Sequence, residues 1–98
     1  MPYAIITTDK AGTAELRQKV RAEHLAYLDT HKQKLLAAGA QTEDDGTGGF
    51  GGILIVDTDD RAEAEAFIAG DPFAQAGLFE SVKVVRWRKA FFAGERLV

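Results

Sequence analysis

The 98-residue sequence contains no cysteine. That excludes disulfides, thiolate metal centres and cysteine nucleophiles, and it suits a protein kept in a reducing cytoplasm. Histidine is scarce too, with His24 and His31 the only two. Seven residues apart on one regular helix, they would be separated by a rise of about 10.5 Å. That is too far for both rings to reach one ion at Zn–N distances of about 2 Å. Neither a metal nor a cofactor is therefore expected. Positive charge is also short: 12 Lys and Arg stand against 15 Asp and Glu, a net charge of −3. A dedicated polyanion binder needs clustered cations. No apolar run approaches the roughly 20 residues of a membrane span. Met1-Pro2-Tyr3-Ala4-Ile5-Ile6 lacks the basic segment and the apolar length of a signal peptide. The expectation is a cytoplasmic protein with neither nucleic acid nor membrane as a partner.

What is present suits one folded domain, with 46% apolar and 28% charged residues. Tyr3 to Thr7 is a short β-branched run closed by Asp9-Lys10-Ala11-Gly12, a strand and a turn. Thr13 is a candidate N-cap, and Ala14 to Ala38 is predicted as one long helix. Leu16, Val20, Tyr27, Leu28 and Leu35 share its apolar stripe, and Gly39 stands where a C′ glycine belongs. Ala40 to Asp45 is predicted as a short polar edge strand, and residues 46–52 as a glycine-rich loop. Ile53 to Asp57 reads as a strand. Asp60 with Glu63 resembles a capping box opening a second helix that ends near Gly70. Asp71-Pro72 begins a short helical turn through Gln75, stopped by Gly77. Ser81 to Ala90 reads as the last strand, and residues 91–98 have no assignment.

The order β-α-β-β-α-β predicts an α+β, ferredoxin-like fold: a four-stranded antiparallel sheet with two helices on one face. Alternate residues of a strand point to opposite faces. Ile53-Leu54-Ile55-Val56 and Tyr3-Ala4-Ile5-Ile6 are thus apolar on both, while one helical layer covers only one. A second copy packed face to face is the economical cover, which predicts a homodimer. A bent helix wrapping the sheet of a monomer is the alternative.

His24 falls near the middle of the first helix's apolar stripe, between Val20 and Leu28. It is either a core histidine satisfied by backbone or water, or a positioned base. Asp71 before Pro72 reads locally as a cap. A capping carboxylate has a second oxygen, and if this reached His24 it would fix the imidazole tautomer. Arg17 and Arg21 lie toward the helix start and are candidates for an anionic substrate group, against the plainer role of arginines whose stems cover the core edge. Gly46, Gly48 and Gly51 fit G-x-G-x-x-G, but a strand follows where the dinucleotide fingerprint needs a helix. Lys83, Arg86, Trp87, Arg88 and Lys89 suggest an RNA-binding sheet. Such modules carry stacking aromatics on the third strand, however, and Gly52-Ile53-Leu54-Ile55-Val56 has none.

Two stretches are similar to the YCII-related family. One is Leu16-Arg17-Gln18-Lys19-Val20-Arg21-Ala22-Glu23-His24-Leu25, which resembles its Arg-containing helix ending in His-Leu. The other is Asp71-Pro72-Phe73-Ala74-Gln75-Ala76-Gly77-Leu78-Phe79, which resembles its Asp-Pro-aromatic block. The resemblance covers nearly the whole chain. It implies a dimeric α/β barrel and a His–Asp site at His24 and Asp71. One branch of the family is associated with dehydrochlorination of a chlorinated aromatic intermediate. This chain departs from many relatives in having Gly39-Ala40 where they have Gly-Pro, and in a shorter glycine-rich loop. The leading expectation is a small-molecule enzyme using acid–base or elimination chemistry. His24 would be its base and Asp71 its orienting group, with Arg17, Arg21 and Ser81 as substrate contacts. A non-catalytic metabolite-binding or accessory module is the alternative, and a cofactor-independent monooxygenase of the wider barrel group a second.

Overall fold

The structure, a computed structural model, describes every residue from Met1 to Val98. Its first strand, β1 (Tyr3–Asp9), buries Tyr3, Ile5 and Thr7 and leaves Ala4 and Ile6 half-buried. The period of two in a strand sets this alternation. Helix α1 (Ala14–Thr30) follows, then a 3₁₀ turn at Lys32–Lys34 and strand β2 (Leu35–Gln41). After the irregular connection 42–50 come β3 (Gly51–Val56), α2 (Arg61–Ala69), the one-turn α3 (Pro72–Gln75) and β4 (Phe79–Arg86). The tail forms a small separate hairpin, β5 (Phe91–Phe92) and β6 (Glu95–Arg96). The main sheet has the order β2-β3-β1-β4 and is antiparallel throughout. This is the expected α+β, ferredoxin-like arrangement.

Several boundaries differ from the sequence expectation: β2 stops at Gln41, short of the predicted Asp45, β3 begins at Gly51 inside the predicted loop, and the two largest departures are the end of the first helix and the end of β4. The first helix stops at Thr30, not Ala38, and Leu35 to Gln41 is a strand. Local propensity favours helix in this Leu- and Ala-rich stretch, but pairing overrides it. Residues 35–41 run along the whole of β3, from Leu35 opposite Val56 to Gln41 opposite Gly51. Without them the outer hydrogen-bonding edge of the sheet's most apolar strand would stand open. Gly39 is accordingly not a helix terminator; it faces Ile53 in mid-strand. The second correction is at β4, which ends at Arg86 rather than Ala90 because its partner runs out. Arg86 pairs with Tyr3, the first residue of β1, and Trp87 N–H closes the ladder on Pro2 O at 2.9 Å.

Helix α2 packs over β1 and β4, while α1 packs against α3. The core between helices and sheet is Ile5, Leu54, Val56, Phe67 and Ile68, with Tyr27, Leu28, Leu35, Phe79 and Val84 around it. Asp60 caps α2 by accepting from Ala62 N–H. Glu63 does not return the bond as a full capping box would, because its carboxylate binds Lys34 and Thr58. On the other face of the sheet, Ile53 is 48% exposed and Val85 is exposed as well.

The glycine-rich segment is ordered by its own contacts. Asp45 accepts from the N–H and hydroxyl of Thr47, and Gly46 and Gly48 take positive φ. Gly51 and Gly52 belong to β3 and are buried. A Cβ on Gly51 would overlap the Thr7 carbonyl oxygen, so β1 and β3 meet here only because residue 51 has no side chain.

Candidate active site

Asp71 is positioned by the joint between α2 and α3. Its backbone N–H donates to Ile68 O at 3.2 Å, and its Oδ1 accepts the Phe73 N–H at 2.9 Å as the α3 cap. Pro72 occupies the first helical position, where a missing N–H is harmless. A carboxylate can accept more bonds than one cap requires. The remaining capacity goes to His24, whose Nδ1 lies 2.8 Å from Oδ1 and 2.9 Å from Oδ2. Asp71 is 0% exposed, so these partners stand in for water.

A carboxylate only accepts, so Nδ1–H is the donor in this pair. Nε2 of the neutral ring then carries the free lone pair. The ring is also fixed from its flat side. It stacks on Phe73 with centroids 4.0 Å apart and planes 14° from parallel. A hydrogen bond at one edge and a stacked face leave the imidazole little freedom.

His24, Asp71 and Phe73 form part of the wall of a cavity of about 210 Å³ between α1, α3 and the sheet. Thr7, Gly52 and Leu54 line it from the sheet, and Leu25 and Leu28 from α1. Arg17 and Arg21 both reach it, but their circumstances differ. Arg17 donates to Asp9 Oδ2 at 2.8 Å and to Gly51 O at 3.3 Å, and its Cζ lies 4.8 Å from the Phe73 ring centroid. The Asp9 side chain is 5% exposed and that of Arg17 14%. Gly49 packs against this guanidinium, since a Cβ there would lie 2.8 Å from Arg17 Nε. Arg21 has no ion-pair partner and remains available to a ligand.

Ser81 is not brought to the cavity. It pairs with Thr8 and so faces the side of the sheet away from His24. A bulge between Thr8 and Asp9 turns Phe79 to the helical side, and Phe79 lines the cavity in place of Ser81. His31 is the C-cap of α1, with its ring 4.6 Å from that of Tyr27 and 5.9 Å from that of Phe67. Tyr27 O–H donates to Phe67 O at 2.8 Å. Burial raises the Tyr27 pKa above its ordinary value, the nearby Asp71 charge adds to the rise, and Lys34 opposes it.

Thr7, Asp9 and Phe73 were not singled out from the sequence. Alternation in β1 carries a signal for the first two: residues 3, 5, 7 and 9 share a face, and polar side chains at 7 and 9 would be directed inward. Nothing local marks Phe73 as the ring beneath a histidine 49 positions earlier.

Comparison with known proteins places the chain in a family. Residues 1–88 match the YCII-related domain. Protein YciI of Escherichia coli O6:H1 is 37% identical over 98 residues, an alignment covering 93% of this chain and all of that protein. An uncharacterized protein of Haemophilus influenzae is 33% identical over the same shares. The solved structure of 5-chloro-2-hydroxyhydroquinone dehydrochlorinase (TftG) from Burkholderia phenoliruptrix, in complex with 2,5-dihydroxybenzoquinone, superposes with a TM-score of 0.82. It is 34% identical, over 90% of this chain and 94% of that one. The chain belongs to the YCII-related family.

Proposed function

We propose that this YCII-related protein is a small-molecule acid–base enzyme in which His24 Nε2 takes a proton from a ligand held in the cavity. The observation that carries the reading is the contact of Nδ1 with both oxygens of a fully buried carboxylate, on the wall of that cavity. Asp71 holds the tautomer that leaves Nε2 basic, and it offsets the charge of the imidazolium formed when the proton arrives. Arg21 is the contact for an anionic group, since Arg17 is already neutralised by Asp9. Similarity to the dehydrochlorinase supports elimination as the reaction class. In such a step Nε2 accepts the proton and the electron pair of the broken bond becomes part of the new double bond. The leaving group departs with its own pair.

The test is chloride release from 5-chloro-2-hydroxyhydroquinone by the wild type and by His24→Asn, with imidazole ¹⁵N shifts recorded as 2,5-dihydroxybenzoquinone is added. Loss of a general base is expected to slow the reaction by about 10²–10⁴-fold. Equal rates in the two proteins, or saturation that leaves both His24 nitrogens unmoved, would count against the role.

The working form is a homodimer through the helix-free face of the sheet, completing the α/β barrel. Ile53 and Val85 are exposed there beside Ile6 and Ile55. Sedimentation should give a dimer at micromolar concentration and a monomer for Ile53→Lys. A monomeric wild type would defeat this assembly.

A further inference from the structure

We propose that Thr7 is a ligand-contacting residue, whose buried hydroxyl donates to an oxygen acceptor on the molecule that occupies the His24 cavity. This rests on the proposal that the cavity is the active site, and it adds to that proposal which atoms the ligand must present.

Thr7 stands in the middle of the sheet, opposite Gly52 on β3, and is 1% exposed. Its Oγ1 accepts the Gly52 N–H at 2.8 Å. That bond uses one lone pair and fixes the side-chain rotamer. The hydroxyl proton is left over, and it donates to no protein group. The backbone carbonyl of Thr7 is itself engaged by Gln41 Nε2 at 2.8 Å. A hydroxyl can donate as well as accept, and Thr7 spends only its acceptor side on the protein. Here the unspent donor belongs to a residue of the cavity wall. Gly52 is part of the device. A Cβ there would come 3.3 Å from Thr7 Oγ1, so the bare glycine allows the strand N–H to hold the hydroxyl at this spot.

The chemical consequence is a pattern. His24 Nε2 offers a lone pair, Thr7 offers a proton, and Phe73, Phe79 and Leu54 supply apolar wall between. A ligand that satisfies all of these carries an acidic X–H at one place and an oxygen acceptor at another on a compact frame. The class is a small hydroxy-carbonyl compound, with its carbonyl or enolate oxygen directed to the sheet. A neutral hydroxyl donor also suits an oxygen that gains charge as the base removes a proton elsewhere on the same conjugated frame.

The experiment titrates 2,5-dihydroxybenzoquinone, which carries both groups, into wild type, Thr7→Ser, Thr7→Val and His24→Asn by calorimetry. Gly52 amide shifts are followed in parallel. Thr7→Ser should bind within about threefold of wild type, and Thr7→Val about tenfold more weakly, a difference of ~1.4 kcal/mol. In the wild type, a hydroxyl that donates becomes a better acceptor, so saturation should move the Gly52 amide proton downfield. If Thr7→Val binds as wild type does while His24→Asn binds weakly, the Thr7 assignment falls and the active-site proposal stands. If wild type does not bind, or neither variant changes binding, the active-site proposal falls and this one with it. If Thr7→Val does not fold, the wild-type Gly52 amide decides, and an unmoved proton at saturation overturns the assignment.

Discussion

Removing the Asp71 carboxylate should reveal its two roles separately. In Asp71→Ala, the Phe73 N–H loses its cap and the His24 Nδ1–H loses both acceptors. Loss of an N-cap costs about 0.5–2 kcal/mol. An unpaired buried donor adds about 1–3 kcal/mol. The upper part of that range does not apply to His24, because its side chain keeps 14% of its surface in contact with solvent. A total near 3 kcal/mol follows, to be set against a whole-domain stability of roughly 5–15 kcal/mol. For a domain of this length each kcal/mol moves Tm by about 4–8 °C, so Asp71→Ala should melt roughly 12–24 °C below the wild type. Asp71→Asn is different. Its amide oxygen can still cap α3, so it should lose only about 1 kcal/mol, the difference between a charge-assisted and a neutral hydrogen bond. It can no longer compel the Nδ1–H tautomer, because an amide both donates and accepts. Urea unfolding at matched protein concentration gives the stabilities, and imidazole ¹⁵N shifts give the tautomer. If Asp71→Ala and Asp71→Asn each cost under ~0.5 kcal/mol, below even a weak cap, and leave the nitrogen shifts of His24 unchanged, the pairing described here is refuted.

Three further outcomes follow from other contacts. Arg17→Met strands the Asp9 carboxylate, whose Oδ1 is already buried without a partner, and should cost about 3–5 kcal/mol in urea unfolding; adding Asp9→Asn should recover much of that loss. Gly51→Ala would drive a methyl into the Thr7 carbonyl, and circular dichroism melts should show a loss of at least about 1–3 kcal/mol, the usual cost of overpacking. The carboxyls of Asp59, Glu63 and Asp45 are held below their ordinary range, by hydrogen bonds from the N-terminal amine, from Lys34 and from Thr47 respectively. Groups with depressed folded pKa values stabilise above the unfolded carboxyl pKa, so stability should fall as pH drops from about 4.5; a stability that rises over that interval contradicts these pairings.

The sequence disclosed the fold unevenly, and the reasons are physical. β1, α2 and the α3 turn were legible because local chemistry decides them: a β-branched run, an aspartate cap, and Asp-Pro at a helix start. The end of α1 was not. The Leu- and Ala-rich residues 35–40 carry no local strand signal and become a strand only because Ile53 to Val56 needs a partner on that side. In the site, His24 could be noticed as a titratable group among apolar neighbours, but local reasoning read Asp71 as a cap and could raise its contact with His24 only as a condition. Only the resemblance joined them, since 47 residues separate the two and the contact exists through tertiary packing alone. Ser81 failed as a candidate because it pairs in regular register with Thr8, on the helix-free face of the sheet, while the bulge at Asp9 brings Phe79 to the cavity side.

The same polar contacts that make the site also explain how so small a domain keeps a cavity. A helix that covers a sheet ordinarily lowers a broad apolar stripe into the core. α1 contains no fully buried residue. It is anchored instead at three points on one side: Arg17 to Asp9, His24 to Asp71, and Tyr27 to the Phe67 carbonyl. Successive anchors are seven and three residues apart, spacings that return to nearly the same face of a helix. Each is a polar or charge-assisted bond at 2.8 Å, and each orders its side chain without the helix backbone having to descend onto the sheet. Between the first two anchors Phe73 serves both, stacked on the imidazole and lying beneath the guanidinium. Apolar packing alone would favour closing the gap over Thr7 and Gly52, because empty space forfeits dispersion contacts. Fixed-length polar ties resist that closure, so the space beside His24 persists.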